Sequence, residues 1–220
     1  MSVGSDPGSA AGGRSFRLIV GISGASGVIY GIRLLEVLAP LAGVETHLVM
    51  TAAARQTISL ETTRDPRDVE ALADVTYRIG DIAASISSGS FPIDAMIVVP
   101  CSMGTLSAIA NSTSDNLLER AADVTLKERR PLVLVPRESP LHLGHLRLMV
   151  QATEIGATVS PPMPAFYNRP QTLDQVVDQT VGRLLDLLHL DPGRPLAPRW
   201  SGPDRGPGQR SPTGEGPAQP

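Results

Sequence analysis

Two segments of this chain run a short apolar stretch into a turn of small residues and then into helical spacing: Arg17-Leu-Ile-Val-Gly-Ile-Ser-Gly-Ala-Ser-Gly27 and Ala95-Met-Ile-Val-Val-Pro-Cys-Ser-Met-Gly-Thr105. Gly and Ser at the end of a strand let backbone N–H groups approach an anion, and the helix that follows points its N-terminus at it. Two such units restrict the chain to an α/β arrangement. In one parallel sheet, offering hydroxyls as well as backbone donors, they point to a phosphorylated cofactor spanning neighbouring strand ends.

The rest of the central chain alternates in the same way. Buried-strand runs are expected at 18–22, 46–50, 95–99 and 132–135, with a short strand at 157–160. Helical spacing covers 28–41, 52–60, 66–73, 105–111, 116–128, 141–153 and 172–188. The Ser- and Gly-rich stretch 81–90 suits a binding loop. Strands separated by helices predict a parallel sheet covered on both faces, an α/β fold in one domain over residues 16–190. The ends differ. Residues 1–15 are rich in Gly, Ser and Ala, and residues 191–220 hold eight Pro and six Gly, so both read as flexible or draped extensions. Trp200 is the exception, an indole suited to pin the tail to the body or to a neighbouring subunit.

The 19 basic and 22 acidic residues give a net charge of −3, which predicts no global attraction to nucleic acid or an acidic membrane. The single cysteine, Cys101, excludes an internal disulfide and suits a reducing compartment. The N-terminus has no basic region followed by an apolar one, and no run reaches the ~18 apolar residues of a membrane span. A soluble, cytoplasmic protein is expected.

The first turn, Gly21-x-Ser23-Gly24-x-Ser26-Gly27, departs from the dinucleotide pattern at its second glycine, and Thr51 closes the second strand where an NAD site usually has an acid. A hydroxyl there suits a mononucleotide such as FMN, although a tight turn without a ligand fits the same letters. Cys101 invites a nucleophile reading, but no histidine partner is recognisable, and a buried structural role is favoured. His142 and His145 have helical i, i+3 spacing without a third ligand, so a capping or surface role is favoured over a metal. Arg137 and Glu138 follow a strand and are placed at the carboxyl edge of the sheet.

The chain from about Arg17 to Trp200 resembles the flavin prenyltransferases of the UbiX type. The strings that carry the resemblance are Gly21-Ile-Ser-Gly-Ala-Ser-Gly27, Ser59-Leu-Glu-Thr62, Pro100-Cys-Ser-Met-Gly-Thr-Leu-Ser107, Arg120-Ala-Ala-Asp-Val124, Leu126-Lys-Glu-Arg-Arg-Pro-Leu-Val133, Pro136-Arg-Glu138 and Pro164-Ala-Phe-Tyr167. The resemblance implies a flavodoxin-like Rossmann fold and a homo-oligomer, typically a dodecamer, with sites at subunit interfaces. It implies transfer of a prenyl group from dimethylallyl phosphate to N5 and then C6 of reduced FMN, without a metal. The product, prenylated FMN, would pass to a UbiD-type decarboxylase.

Carried over by position, Gly24, Ala25, Ser26, Thr51, Ser102, Met103, Gly104, Thr105 and Arg137 would hold the flavin. Tyr167, Arg183 and Lys127 would bind the dimethylallyl phosphate, with Glu61 and Arg120 lining the site. Ser26, Glu138 and Lys127 would serve the chemistry, and Trp200 would match a C-terminal lid. Two other readings share the fold or the cofactor. A flavin-dependent cysteine decarboxylase would carry an Asn in the stretch that here reads Pro161-Pro-Met-Pro-Ala-Phe-Tyr167. A non-catalytic FMN carrier would leave Lys127, Tyr167 and Arg183 without a role.

Overall fold

The computed structural model describes residues 15–199 and 202. Among these, six strands form one parallel sheet: β1 (Phe16–Ile22), β2 (Val44–Met50), β3 (Val75–Tyr77), β4 (Ala95–Cys101), β5 (Leu132–Pro136) and β6 (Thr158–Val159), in the order β3-β2-β1-β4-β5-β6. The helices are α1 (Val28–Leu38), α2 (Ala52–Glu61), α3 (Pro66–Glu70), α4 (Met103–Ala110), α5 (Leu117–Lys127), α6 (Leu143–Glu154) and α7 (Leu173–Leu187). From β1 the chain winds outward to β3, then returns to β4 on the other side of β1 and winds outward again. The order therefore reverses between β1 and β4, the position at which open α/β sheets bind ligands.

Alternate residues of each strand feed two cores. Leu18, Val20, Ile22, Ile97 and Val99 face α1, α2 and α7. Ile19, Met96, Val98, Leu132 and Leu134 face α4, α5 and α6. Every residue of β4 is buried, which is why its sequence reads as an unbroken apolar run rather than an alternating one.

Several boundaries differ from the spacing. Helix α1 ends at Leu38 rather than 41: the Ala39 amide still donates to the Leu35 carbonyl at 2.9 Å, but Pro40 has no N–H with which to continue the ladder. Helix α3 stops at Glu70, three residues short of the expected end. Strand β3 was not expected. It is three half-exposed residues at the sheet edge, too short for a periodic signal, and it forms because β2 offers it a hydrogen-bonding ladder. The 81–90 stretch contains a 3₁₀ turn at Ser85–Ser87 and, beyond it, crosses the sheet to enter β4. The tail over 190–199 lies back along α7: Leu196 packs on the core, and the Asn168 amide donates to the Pro198 carbonyl at 2.8 Å. Trp200, the anticipated lid, and residues 1–14 fall outside the described residues. No helix among the described residues is long and apolar enough to cross a membrane.

Two outcomes follow from this packing. A Cβ at Gly31 of α1 would overlap the Val99 carbonyl oxygen on β4. Gly31→Ala is expected to lower stability by ~2 kcal/mol despite its better helix propensity, read as an earlier urea midpoint with unchanged slope. Cys101 is fully buried, and burial pushes its thiol well above the ordinary 9.0. Thiol reagents are therefore expected to label it at least about 10³-fold more slowly in the native protein than in the unfolded chain.

Candidate active site

Three helices begin at the carboxyl edge of the sheet, and small residues build each start. Gly27 caps α1 with φ of 96°, a left-handed conformation that a side chain would strain. Thr51 caps α2 by accepting from the Ala54 amide at 3.0 Å. Ser102 caps α4 by accepting from the Thr105 amide at 3.2 Å, and donates to the Thr105 hydroxyl at 3.0 Å. Three N-termini beside the switch point form a region of positive potential lined with hydroxyls.

Hydrogen bonds between neighbouring strand ends fix this edge. The Thr51 amide donates to the Ile22 carbonyl at 3.1 Å, and the Arg137 amide donates to the Cys101 carbonyl at 3.2 Å. Between β1 and β4, the fully buried Ser23 does more. Its amide and its hydroxyl both donate to the Pro100 carbonyl, at 3.1 and 3.0 Å, and its hydroxyl accepts from the Ser102 amide at 2.7 Å. Ser23 was not among the expected site residues. The sequence marks it only as a Ser of the first turn, and the pairing of β1 with β4 both buries it and gives it partners.

The turns present Gly24 and Ala25 half-buried, and Ser26 exposed at the tip. Gly24 lies so near Ala53 that a Cβ there would overlap it, so the first turn and the start of α2 make one wall. Met103 and Gly104 open α4, and a Cβ at Gly104 would meet only the Ser102 hydroxyl, at 3.9 Å. Thr105 is buried beneath them. Arg137 and Glu138 are exposed just past β5, and the Glu138 carboxylate accepts from the Ser139 amide at 2.9 Å. Glu61, at the far end of α2, reaches back to accept from the Gly27 and Val28 amides at 2.8 and 3.2 Å. An acid at a helix N-terminus is favourable, and this one orders the turn that carries Ser26.

Tyr167 and Arg183 share an open cleft of about 1050 Å³ between the segment after β6, α7 and the tail. Asp186 faces Arg183 at 3.8 Å and Arg199 at 2.6 Å, holding both cations at the cleft. Lys127 lies elsewhere. As the last residue of α5, just before β5, it stands at the amino edge of the sheet, opposite the turns, beside a cavity of about 450 Å³ that Arg129 and Arg130 also line. Its ammonium pairs with Glu128 and holds that carboxyl below its usual 4.5. A Cβ at Gly89 would meet this Lys127–Glu128 pair, so the Ser88-Gly-Ser90 stretch lies directly against it. Arg120 donates from Nε to the Ser87 carbonyl at 3.2 Å and pairs with Asp123 at 2.8 Å. One chain thus brings together the turns after β1, β2 and β4, and separately Tyr167 with Arg183, and separately Lys127 and Arg120 with the 85–91 loop.

His142 caps α6, accepting from the Gly144 amide through Nδ1 at 3.0 Å, with the tilted His145 ring centred 3.6 Å away. Among the described residues, no group of three or more His, Cys, Asp or Glu side chains is placed to hold a metal ion.

The chain matches the Flavoprotein family over residues 10–185. It is 64% identical over 186 residues to the flavin prenyltransferase UbiX of Escherichia coli (strain K12), covering 84% of this chain and 98% of that one. Among solved structures it resembles AnUbiX in complex with FMN and dimethylallyl pyrophosphate, with a TM-score of 0.83 and 51% identity over 86% of this chain and 99% of that one. It also resembles a dodecameric FMN-dependent UbiX-like decarboxylase from Escherichia coli O157:H7, with a TM-score of 0.81 and 51% identity over 85% of this chain and all of the other. The hydroxyl-lined switch point, the Tyr167–Arg183 cleft and this extent of identity place the chain in the flavoprotein family, among the UbiX-type flavin prenyltransferases.

Proposed function

We propose that this chain transfers a dimethylallyl group to reduced FMN, and that the observation carrying the reading is the Tyr167–Arg183 cleft, a second anion site besides the flavin turns. FMN has one phosphate, and a carrier would need one anion site. The carboxyl edge fits FMN: helix starts capped by Gly27, Thr51 and Ser102 offer amides and hydroxyls, and Gly24, Ala25, Ser26, Met103, Gly104, Thr105 and Arg137 stand around them. Reduced flavin, when bound, supplies the nucleophilic N5 and the C6 through which a fourth ring closes.

The chain's own residues manage the leaving group and the water. As the allylic C–O bond breaks, negative charge grows on the departing phosphate, and Arg183 with the Tyr167 hydroxyl stabilises it. Lys127 and Arg120 serve the same phosphate from a neighbouring subunit, because in their own chain Lys127 stands at the opposite edge of the sheet. The hydroxyls of Ser88 and Ser90 come with them. Glu61 orders the Ser26 turn, and Glu138 at the carboxyl edge is placed to carry a proton. Residues 16–190 form the catalytic domain. The protein works in the cytoplasm as a dodecamer, accepts dimethylallyl phosphate, and passes prenylated FMN to a UbiD-type decarboxylase. The stretch 161–167 supplies a Tyr to the cleft and has no Asn, which favours prenyl transfer over cysteine decarboxylation.

Two experiments test this reading. Anaerobic incubation with reduced FMN and dimethylallyl phosphate is expected to give a flavin heavier by one five-carbon prenyl unit. Arg183→Ala should lower its rate of formation by about 10²-fold, in the range of removing one charge-stabilising donor. Unmodified flavin from a protein that still binds FMN tightly would remove prenyl transfer in favour of a carrier. Co-expressing Lys127→Ala with Arg183→Ala chains should restore activity in about a quarter of the sites, because random assembly of a symmetric oligomer pairs an intact Lys127 with an intact Arg183 that often. No recovery would place both residues in one chain's site.

A further inference from the structure

The 85–91 loop is gripped on one side by cations. The Ser87 carbonyl accepts from Arg120 at 3.2 Å, and the Gly89 and Phe91 carbonyls accept from Arg130 at 2.8 and 3.0 Å. On its other side a polar relay runs out of the sheet into the same loop. His47 of β2 is 1% exposed. Its ring stacks on Tyr77 of β3, with centroids 5.8 Å apart, and meets Phe91 edge-on at 5.5 Å. His47 Nδ1 lies 3.0 Å from the Tyr77 hydroxyl, and that hydroxyl lies 3.0 Å from the hydroxyl of Ser85, the first residue of the 3₁₀ turn.

Packing alone does not ask for these heteroatoms. A Leu at 47 and a Phe at 77 would fill the space without desolvating polar groups. What the polar groups add is direction, since a hydrogen-bonded chain fixes one position of the loop where apolar contact would allow several. The charged groups around the imidazole are Glu45 on its own strand, Arg17 on β1 and Asp74 ahead of β3. Glu45 Oε1 stands 3.1 Å from Nε2 without hydrogen-bond alignment, and is itself paired with Arg17 at 2.9 Å, whose guanidinium covers the Phe91 ring. Burial holds the imidazole below its ordinary 6.5, so it is neutral at pH 7. With the proton on Nε2, toward Glu45, Nδ1 accepts from the Tyr77 hydroxyl, which accepts in turn from Ser85.

We infer that His47 and Tyr77 are positioning residues for prenyl transfer: the His47–Tyr77–Ser85 relay sets the 85–91 loop, and the loop sets Arg120 and Lys127 against the substrate phosphate. The inference rests on the proposed function for the role of those two cations, while the loop's dependence on the relay stands apart from it.

Tyr77→Phe keeps the stacked ring and deletes only the hydroxyl. Amide hydrogen exchange across 85–91 should quicken about tenfold, the factor that corresponds to ~1.4 kcal/mol, while exchange in β1 and α1 stays unchanged. The KM for dimethylallyl phosphate should rise about tenfold with the Kd for FMN unaltered, a split that general destabilisation would not produce. His47→Leu should behave like Tyr77→Phe, and His47→Asn, whose side-chain oxygen replaces Nδ1, should restore parental values. Unchanged exchange across 85–91 in Tyr77→Phe would overturn the relay whether or not the parental protein transfers a prenyl group. Equal shifts for FMN and the prenyl phosphate, or His47→Asn no better than His47→Leu, would overturn it as well. A parental protein without transfer activity would instead count against the proposed function, with the exchange data still deciding the relay.

Discussion

Ser23 is the residue on which the carboxyl edge of this sheet depends. Its buried hydroxyl donates to the Pro100 carbonyl and accepts from the Ser102 amide, so the turn after β1 and the turn after β4 cannot move independently. A buried hydroxyl with both capacities used is a rigid link, and leaving either partner unmade would cost about 1–3 kcal/mol. The Thr51–Ile22 and Arg137–Cys101 bonds extend the same tie to β2 and β5. Four strand ends thereby present their helix starts and hydroxyls as one surface. A cofactor phosphate meets donors that are already in place, which is the condition for positioning two reactants without reorganisation.

The cations assigned to the prenyl phosphate in the proposed function are divided by the topology of the chain. Parallel strands send their carboxyl ends to one edge and their amino ends to the other. Tyr167 and Arg183 come after β6 and share the cleft between that segment, α7 and the tail, while Lys127 ends α5, ahead of β5, beside a separate cavity at the amino edge. Assembly of copies is the economical solution, and it accounts for the basic cavity beside Lys127 and for the exposed Leu143, Leu146 and Val150 along α6, an apolar stripe suited to a neighbouring copy.

Much of this was legible in the letters. The apolar runs at 18–22 and 95–99 mark strands buried on both faces, and the Gly and Ser that end them mark the anion turns. The Glu61 carboxylate accepts from the Gly27 and Val28 amides beside the Ser26 turn. Strand β3 was not legible, because three half-exposed residues carry no period and become a strand only when β2 lies beside them. Ser23 and the relay from His47 to Ser85 were hidden for a related reason. A Ser in a turn and a His in a strand acquire their meaning from partners 77, 30 and 38 positions away.

The sequence by itself determined the fold class and the chemistry of the turns, because hydrophobic period and small-residue punctuation are local properties that each segment carries alone. It also determined that the donors are hydroxyls, amides and guanidinium groups rather than thiols. The tertiary structure decided which of those groups share an edge: it joined β1 to β4 through Ser23, brought Tyr167 to Arg183, and sent Lys127 to the far side. Proximity between distant segments is set by strand order and by the direction in which each strand runs, and neither is written in any single stretch of the chain.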